Sequence, residues 1–281
     1  MMRTGNGHSG RTKETSGSSP IALPSLIHDY PDLSQVDVIG DLHGCYDELC
    51  RLLDRLGHTD LCGRGPSIGE GTGPRVIFVG DLTDRGDRNV DTFNLVADLV
   101  ERGDALCVLG NHDRRFMRWL RGEDVAVAHG LGTTIGEFER LSRPEQSHFR
   151  ERALHFYESI PSAVRFDKGQ AVVVHAAWRS GMTAEENPKK IYYYAMYGPT
   201  TGKKTPDGFP DRIDWAKGYR GPEHVIFGHQ VYKVPYVNLF ATGIDTGCVF
   251  GGGLTALRWP TRELVTVDSA YARAEYGRPV T

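Results

Sequence analysis

The sequence predicts an α/β fold in which mainly parallel strands alternate with amphipathic helices. Short apolar runs lead into three polar motifs, GDLHG at 40–44, GDLTDRG at 80–86 and GNHD at 110–113. Apolar residues at helical spacing follow the first two motifs. Because strands that alternate with helices pair mainly in parallel, the loops after the strands are expected to gather at one sheet edge and form the site.

Two β-loop-α units open the predicted domain. The apolar run at 36–39 predicts a strand, and hydrophobic residues at helical spacing within 46–56 predict the helix after GDLHG. The run at 76–79 predicts a second strand, and a helical stripe within 90–100 follows GDLTDRG. A third run, at 105–109, leads into GNHD. Each motif is therefore expected directly behind a strand.

Two later apolar runs end in histidine. Residues 171–174 lead into His175, and residues 225–227 lead through a glycine into His229. We therefore expect both imidazoles at the same edge as the three motifs.

The length of 281 residues favours one large domain. The chain begins with glycine, serine, threonine and charges that have little to bury, so we expect a disordered leader at 1–30 and a single domain at 31–281. A helical pattern near 114–160 and an irregular segment near 179–221 are expected to cap the site. Loose alternation within 254–267 predicts a pair of antiparallel strands.

Charge and cysteine content exclude several classes of protein. Lys and Arg total 33 against 36 Asp and Glu, so the net charge of −3 argues against a long nucleic acid or an anionic membrane as partner. Five scattered cysteines without a CxxC pair indicate neither a disulfide framework nor a zinc ribbon. The sequence shows neither an apolar stretch of about 18 residues nor a secretory signal. We expect a cytoplasmic protein.

Six side chains in the strand-end loops form a candidate centre for two divalent metal ions. Any one of them alone would usually be a turn residue or a hydrogen-bonded core residue, but six suitable donors in one arrangement indicate coordination. Two-metal sites hold their ions roughly 3.5–4 Å apart and activate water against phosphorus. Nitrogen and oxygen donors without thiolate favour Mn²⁺, with Fe or Zn²⁺ as alternatives. The predicted ligands are Asp41, His43, Asp81 as the bridging group, Asn111, His175 and His229.

Residues beside these ligands are candidates for catalysis. His112 is the candidate general acid, and Asp84 is expected to orient its imidazole and raise its pKa, with a helix cap as the alternative role for Asp84. Arg85 is the candidate phosphate-binding residue because its planar guanidinium forms paired bonds to phosphoryl oxygens; the alternative is a surface salt bridge. At least two of the neighbouring arginines are expected to be merely solvated: Arg88, Arg114 and Arg115.

Two other patterns receive a structural interpretation. The segment GPTTGKKT at 198–205 resembles a phosphate-binding loop, but three residues rather than four separate its glycines, so we predict an ordinary loop. The tyrosines at 192, 193, 194 and 197 offer rings for stacking on a nucleobase, although such a cluster more often packs against its own domain.

The motifs GDLHG, GDLTDRG, GNHD, VVVHAA and FGHQ, in this order, resemble those of the calcineurin-like metallophosphoesterases, in the phosphoprotein phosphatase branch. The resemblance spans about residues 36–267. Four further motifs, HGLGTT, YGPTTG, RIDWAKGYRG and IDTGCVFGGGLTALRWP, look like those of bacterial asymmetrical bis(5′-nucleosyl)-tetraphosphatases and of the phosphatase domain of bacterial polynucleotide kinase-phosphatase.

This resemblance implies a four-layer α-β-β-α sandwich with a helical cap and a dinuclear centre that Mn²⁺ commonly supports. It implies the same six metal ligands, with His112 and Asp84 as a catalytic pair and Arg85 on phosphate. It also implies that Asp245 of the IDTG turn lies near the active site. We count Asp245 among the catalytic candidates, and Asn111 among those that contact substrate.

A metal-dependent phosphoesterase is therefore the leading functional hypothesis, with a dinucleoside polyphosphate such as diadenosine tetraphosphate as the favoured substrate. The alternatives are a serine/threonine phosphoprotein phosphatase and a phosphatase for nucleotides or polynucleotide ends, so the partner is a phosphorylated small molecule or protein. A non-catalytic scaffold is disfavoured, because the candidate acid, its orienting carboxylate and the phosphate-binding arginine accompany a complete ligand set.

Overall fold

The computed structural model describes residues 26–62, 75–183, 187–206, 208 and 210–271. The predicted leader lies outside the described residues as far as residue 25. Its predicted boundary at residue 30 is wrong, because Ile27–Tyr30 forms a strand that pairs in parallel with a strand near the middle of the chain.

Two large sheets and one small hairpin contain the described strands. A six-stranded sheet has the order β1-β5-β6-β9-β11-β10, a five-stranded sheet has the order β13-β12-β2-β3-β4, and β7 pairs with β8. The strands are β1 (Ile27–Tyr30), β2 (Val36–Ile39), β3 (Val76–Phe78), β4 (Ala105–Cys107), β5 (Ala163–Phe166), β6 (Ala171–Val174), β7 (Thr200–Lys204), β8 (Pro210–Arg212), β9 (His224–Phe227), β10 (Tyr236–Val237), β11 (Ala241–Gly243), β12 (Gly253–Trp259) and β13 (Glu263–Asp268).

Helices cover the outer faces of the two large sheets. They are α1 (Tyr46–Leu56), α2 (Thr59–Cys62), α3 (Asn89–Glu101), α4 (Asn111–Leu120), α5 (Leu131–Arg140), α6 (Arg143–Ser159), α7 (Pro188–Tyr197) and α8 (Trp215–Gly218). The predicted leucine stripe of α1 is buried, and Gly57 ends that helix in the left-handed conformation. A capping box starts α6, where the Glu145 carboxylate accepts the Ser142 N–H at 2.7 Å.

The sheets pack face to face over a mainly aliphatic and aromatic layer. Val38, Ile77 and Val108 of the five-stranded sheet meet Val173 and Ile226 of the six-stranded sheet, and all five are inaccessible to solvent. Such burial is worth about 1.5–3 kcal/mol for each large apolar side chain. With helices outside both sheets, the layers follow the predicted α-β-β-α order.

Strand register brings the polar loops together. In the five-stranded sheet, Ile39 pairs with Phe78 and Phe78 with Cys107, so β2, β3 and β4 end level with one another. In the six-stranded sheet, Val174 pairs with Phe227 in the same way. Since these strands are parallel within their sheets, the predicted loops meet along a common edge.

The two predicted cap segments differ from expectation. The 114–160 segment is helical, as predicted, but packs mainly beside α3: the Phe93 ring contacts those of Phe149 and Tyr157 on α6. The 179–221 segment is not irregular, since it contains α7, the β7–β8 hairpin and α8. Residues 200–204 of the predicted loop form β7, whose residues are all exposed.

Two further observations concern the cysteines and the possibility of a membrane-spanning helix. Cys50 and Cys62 form a disulfide between α1 and α2, which the scattered cysteine spacing did not predict. Among the described residues, no helix is long and apolar enough to span a membrane.

Candidate metal centre and active site

Both sheets contribute to one polar cluster at their common edge. Asp41, Asp81 and Asn111 follow β2, β3 and β4, while His175 and His229 follow β6 and β9. The backbone N–H of His229 donates to both carboxylate oxygens of Asp41 at 3.1 Å, which joins the two sheets. A second link runs from His175, whose Nδ1 lies 2.8 Å from the carbonyl oxygen of Val79.

Asp81 lies at the centre of this cluster. Its Oδ2 is 3.4 Å from Nε2 of His175 and 3.7 Å from Nε2 of His43. Asp81 belongs to two triads of potential ligand atoms, one with His43 and His112 and one with His175 and His229, and within each triad the atoms lie within 4.8 Å of one another. A carboxylate shared by two such groups is placed to bridge two cations.

The imidazoles are oriented for coordination. His43 and His175 direct Nδ1 to the backbone carbonyls of Thr83 and Val79, at 2.9 and 2.8 Å, which leaves each Nε2 facing the cluster. Nδ1 of His229 lies 3.0 Å from Nε2 of His175, and Oδ1 of Asn111 lies 3.1 Å from that same nitrogen. Several electron-pair donors thus converge on one point, as they do around a metal ion.

The pKa values of the buried carboxylates provide an independent test of whether these residues suit metal ions. Burial, followed by the nearby carboxylate of Asp245, raises the pKa of Asp41 well above its usual range. Burial also favours the protonated form of Asp81, but His175 and His112 outweigh it and hold the pKa of Asp81 well below its usual range. Asp41, Asp81 and Asp245 are only 2–5% exposed and lie close together, so added positive charge would stabilise their ionised forms. The residues therefore fit two divalent cations.

His112 and Asp84 form the predicted pair. Nδ1 of His112 lies 2.6 Å from Oδ2 of Asp84, and Oδ1 of Asp84 accepts a 2.7 Å bond from the Thr134 hydroxyl. Asp84 therefore orients the imidazole instead of capping a helix. Burial raises the pKa of Asp84 to about 6.

The expected rise in the pKa of His112 is wrong. Burial, together with the positive charges of Arg85 and Arg115, lowers that pKa to about 3 and outweighs the neighbouring carboxylates. A phosphate that pairs with Arg85 would remove part of this repulsion, because it places negative charge beside the imidazole.

Arg85 follows Asp84 in the GDLTDRG loop and faces the cluster. Its Nη2 lies 2.8 Å from Nε2 of His112, and Nη1 contacts the imidazole of His43. Its guanidinium carbon lies 5.1 Å from the ring centroid of Phe250. Arg85 is thus held beside the candidate ligands instead of forming a surface salt bridge.

Left-handed backbone is concentrated at the predicted site residues. The φ angles are 45° at His43, 52° at Asp81, 78° at Asp84, 75° at Arg85 and 66° at His229. Such a conformation costs about 1–3 kcal/mol for a residue other than glycine and clusters at functional sites. The chain therefore holds these side chains in positions that ordinary turns do not provide.

Asp113, the last residue of GNHD, supports the site without facing it. Its carboxylate accepts the backbone N–H groups of Asp81 at 2.8 Å, Leu82 at 2.9 Å and Gly110 at 2.9 Å. No role was predicted for Asp113, although an acidic residue at the third position of a helix is a known signal for such a bond. A side chain on Gly110 would strike the Asp81 carboxylate.

Asp245 lies close enough to Asp41 to raise its pKa, whereas the three neighbouring arginines have other partners. Asp245 follows β11, is 5% exposed and accepts the Gly247 N–H at 3.0 Å. Its pKa is raised to about 6, mainly by burial. Arg88 pairs with carboxylates on the protein surface, and Arg115 donates to a backbone carbonyl. Arg114 instead contacts the tyrosines of α7.

Comparison with known proteins gives one family. The calcineurin-like phosphoesterase family model matches residues 34–233. The chain is 40% identical over 236 residues to bis(5′-nucleosyl)-tetraphosphatase PrpE (asymmetrical) of Geobacillus sp. strain WCH70, covering 84% of this chain and 95% of that protein. The protein of the same name from Bacillus subtilis strain 168 is 39% identical over 234 residues, covering 83% and 94%.

Two solved structures share the fold. One, of a protein proposed to be a diadenosine tetraphosphatase, has a TM-score of 0.60 at 22% identity and covers 88% of this chain and 100% of its own. The other is a serine/threonine phosphatase from Saccharomyces cerevisiae, with a TM-score of 0.53 at 15% identity, covering 92% and 87%.

Proposed function

The chain belongs to the calcineurin-like phosphoesterase family, and we propose that it hydrolyses dinucleoside polyphosphates such as diadenosine tetraphosphate by attack of water on phosphorus. The position of Asp81 carries the chemical part of this proposal, since its carboxylate lies 3.4 and 3.7 Å from imidazoles of two ligand groups. The relatives named as asymmetrical tetraphosphatases support the substrate, because they align over nearly their whole length.

We propose Asp41, His43, Asp81, Asn111, His175 and His229 as the residues that hold two divalent ions. Mn²⁺ is the metal we favour, because the donors combine imidazole nitrogen with carboxylate and amide oxygen and include no thiolate. Ions bound here supply a water of lowered pKa and positive charge for the phosphoryl oxygens.

The chain's own residues then act on the phosphate. Arg85 binds two oxygens of the attacked phosphoryl group and offsets the charge that develops on them. With a phosphate paired to Arg85, His112 takes up a proton at Nε2 and donates it to the bridging oxygen that leaves, while Asp84 at 2.6 Å holds the imidazole in place through Nδ1. One P–O–P bridge breaks, and water contributes OH to one fragment and a proton to the other. Asymmetric cleavage of diadenosine tetraphosphate yields ATP and AMP.

A substrate panel tests the proposal. Diadenosine tetraphosphate, a phosphoserine peptide and a 2′,3′-cyclic nucleotide are each incubated with the Mn²⁺-loaded protein, and products are separated by ion-exchange chromatography. We expect ATP and AMP in equal amounts as the fastest reaction. Release of two ADP would contradict the asymmetric mode, and turnover of the peptide alone would reassign the protein as a phosphoprotein phosphatase.

A further inference from the structure

One face of α7 carries aromatic and basic side chains. Tyr193 and Tyr197 lie one helical turn apart, and their rings are nearly parallel, with centroids 6.2 Å apart and 23° between the planes. Lys189 and Lys190 precede Tyr193 by four and three residues, a spacing that puts them on the same side of the helix. The Tyr193 residue is 47% exposed, so this stripe is accessible to a ligand.

The stripe lines a cavity of about 630 Å³. This volume lies within the range of roughly 300–1,000 Å³ that is typical of small-molecule sites. Aromatic faces bind nucleobases by stacking, and adjacent cations bind phosphate, so the lining suits a nucleotide better than a purely apolar ligand. The side chains that carry these properties are Arg179, Lys189, Lys190, Tyr193, Tyr194 and Tyr197.

The backbone fixes α7 beside the candidate metal centre. The N–H of Ala176, the residue directly after His175, donates to the carbonyl of Ala195 on α7 at 2.7 Å. The carbonyl of Ala176 in turn accepts the indole N–H of Trp215 at 3.0 Å. The loop that presents His175 is therefore bonded to the tyrosine helix.

The side chain of Arg114 connects α4, which begins at the candidate ligand Asn111, with α7. It lies three residues after Asn111 on α4, about one helical turn, and so projects from nearly the same side of that helix. Its guanidinium donates to the hydroxyls of Tyr193 and Tyr197 at 3.4 and 3.5 Å and lies 5.5 Å from the Tyr193 ring centroid. A cation is thus bonded to two tyrosines of the cavity lining and belongs to the helix that begins at the candidate ligand Asn111.

We propose that this cavity binds one nucleoside of a dinucleoside polyphosphate, with its base stacked on Tyr193 and the phosphate chain running past Arg114 to the metal centre. This inference rests on the proposed function and deepens it, because it separates the part of the site that recognises the nucleoside from the part that hydrolyses the phosphate. Neither the motifs nor the names of the relatives assign such a role to α7.

Kinetics of Tyr193→Ala with two substrates test the inference, with Tyr193→Phe as the matched control that keeps the ring. Diadenosine tetraphosphate carries nucleosides, whereas p-nitrophenyl phosphate does not. We expect kcat/KM of Tyr193→Ala to fall about tenfold more for diadenosine tetraphosphate than for p-nitrophenyl phosphate, mainly through KM, and Tyr193→Phe, which keeps the ring, to change the ratio of the two kcat/KM values by no more than about twofold. Equal losses on both substrates, or a loss in the Phe variant as large as in the Ala variant, would overturn the inference.

Binding of AMP to the full chain in EDTA separates this inference from the proposed function. We expect saturation-transfer NMR to show contacts from protein to the adenine protons in the wild type and in Tyr193→Phe, and their loss in Tyr193→Ala. If the wild type hydrolyses p-nitrophenyl phosphate but not diadenosine tetraphosphate, the proposed function fails while an adenine signal that depends on Tyr193 still supports the cavity. Absence of adenine contacts in the wild type overturns the inference whatever the enzyme hydrolyses.

Discussion

Replacing Asp113 by asparagine tests whether this carboxylate holds the Asp81 loop. The amide has the same shape but keeps only one acceptor oxygen, so at least one of the three backbone N–H groups loses its partner and faces an NH₂ group instead. A buried unsatisfied donor costs about 1–3 kcal/mol, and the NH₂ group of the amide, itself a donor, adds repulsion against that backbone N–H. We expect a total loss of about 3 kcal/mol in the free energy of unfolding.

The loss is measurable by thermal denaturation. At about 2–4 °C per kcal/mol for a domain of this size, Asp113→Asn should lower the Tm by about 6–12 °C. Mn²⁺ binding, followed by equilibrium dialysis, should weaken as well, because the bond from Asp113 fixes the left-handed backbone of Asp81 (φ 52°).

Asp124→Asn is the matched control for this substitution. Asp124 is exposed, and a surface change of this kind usually alters stability by no more than about 0.5 kcal/mol, or roughly 1–2 °C. If Asp113→Asn had the same Tm, Mn²⁺ affinity and turnover as Asp124→Asn, the argument that Asp113 positions the Asp81 loop would be refuted.

Four further substitutions give distinct outcomes. Asp81→Ala should lose both bound Mn²⁺ and turnover, whereas His112→Ala should keep its metal and lose most turnover; metal analysis with the reverse pattern contradicts the assignment. Thr134→Val removes a 2.7 Å bond to Asp84, so kcat should fall about tenfold at unchanged Mn²⁺ content, and an unchanged kcat would show that the bond is dispensable. The pKa of Asp37 is lowered by hydrogen bonds from an imidazole and a guanidinium, which outweigh its burial, so it contributes stability above its unfolded pKa of about 3.9 that is lost as pH falls through the folded pKa. Chemical denaturation should therefore show a smaller loss of stability between pH 5 and pH 3 for Asp37→Asn than for the wild type.

The core strands were predictable because their signal is local. The runs at 36–39, 76–79, 171–174 and 225–227 consist mostly of apolar residues buried on both faces, as expected for strands between helices and a second sheet. The edge strands gave no such signal. β1 mixes histidine and aspartate with two apolar residues and depends on pairing with the distant β5, whereas β7 buries none of its side chains and pairs with the nearby β8.

The residues of the candidate site also fall into a group that was predictable from local sequence and a group that was not. That the six candidate donors and the residues His112, Asp84 and Arg85 lie close together was predictable, because each follows an apolar run within a short motif. Their supports were not, since they act across long sequence separations. Thr134 is 50 residues from Asp84, and the ring of Phe250 meets Arg85 only through the fold. The disulfide between Cys50 and Cys62 likewise depends on how α1 and α2 pack, which spacing alone does not reveal.

The HGLGTT segment illustrates how such supports act together. The carbonyl of Gly130 accepts the N–H of Arg85 at 3.1 Å, and a side chain on Gly130, which itself has φ 94°, would strike Arg85. Four residues further on, Thr134 bonds both the backbone N–H and the carboxylate of Asp84. One turn and the first part of α5 therefore hold two successive left-handed residues of the GDLTDRG loop. Because each bond fixes a residue whose backbone is unfavourable by itself, the positions of Arg85 and of the Asp84 carboxylate, our proposed phosphate-binding and orienting groups, depend on the same short segment.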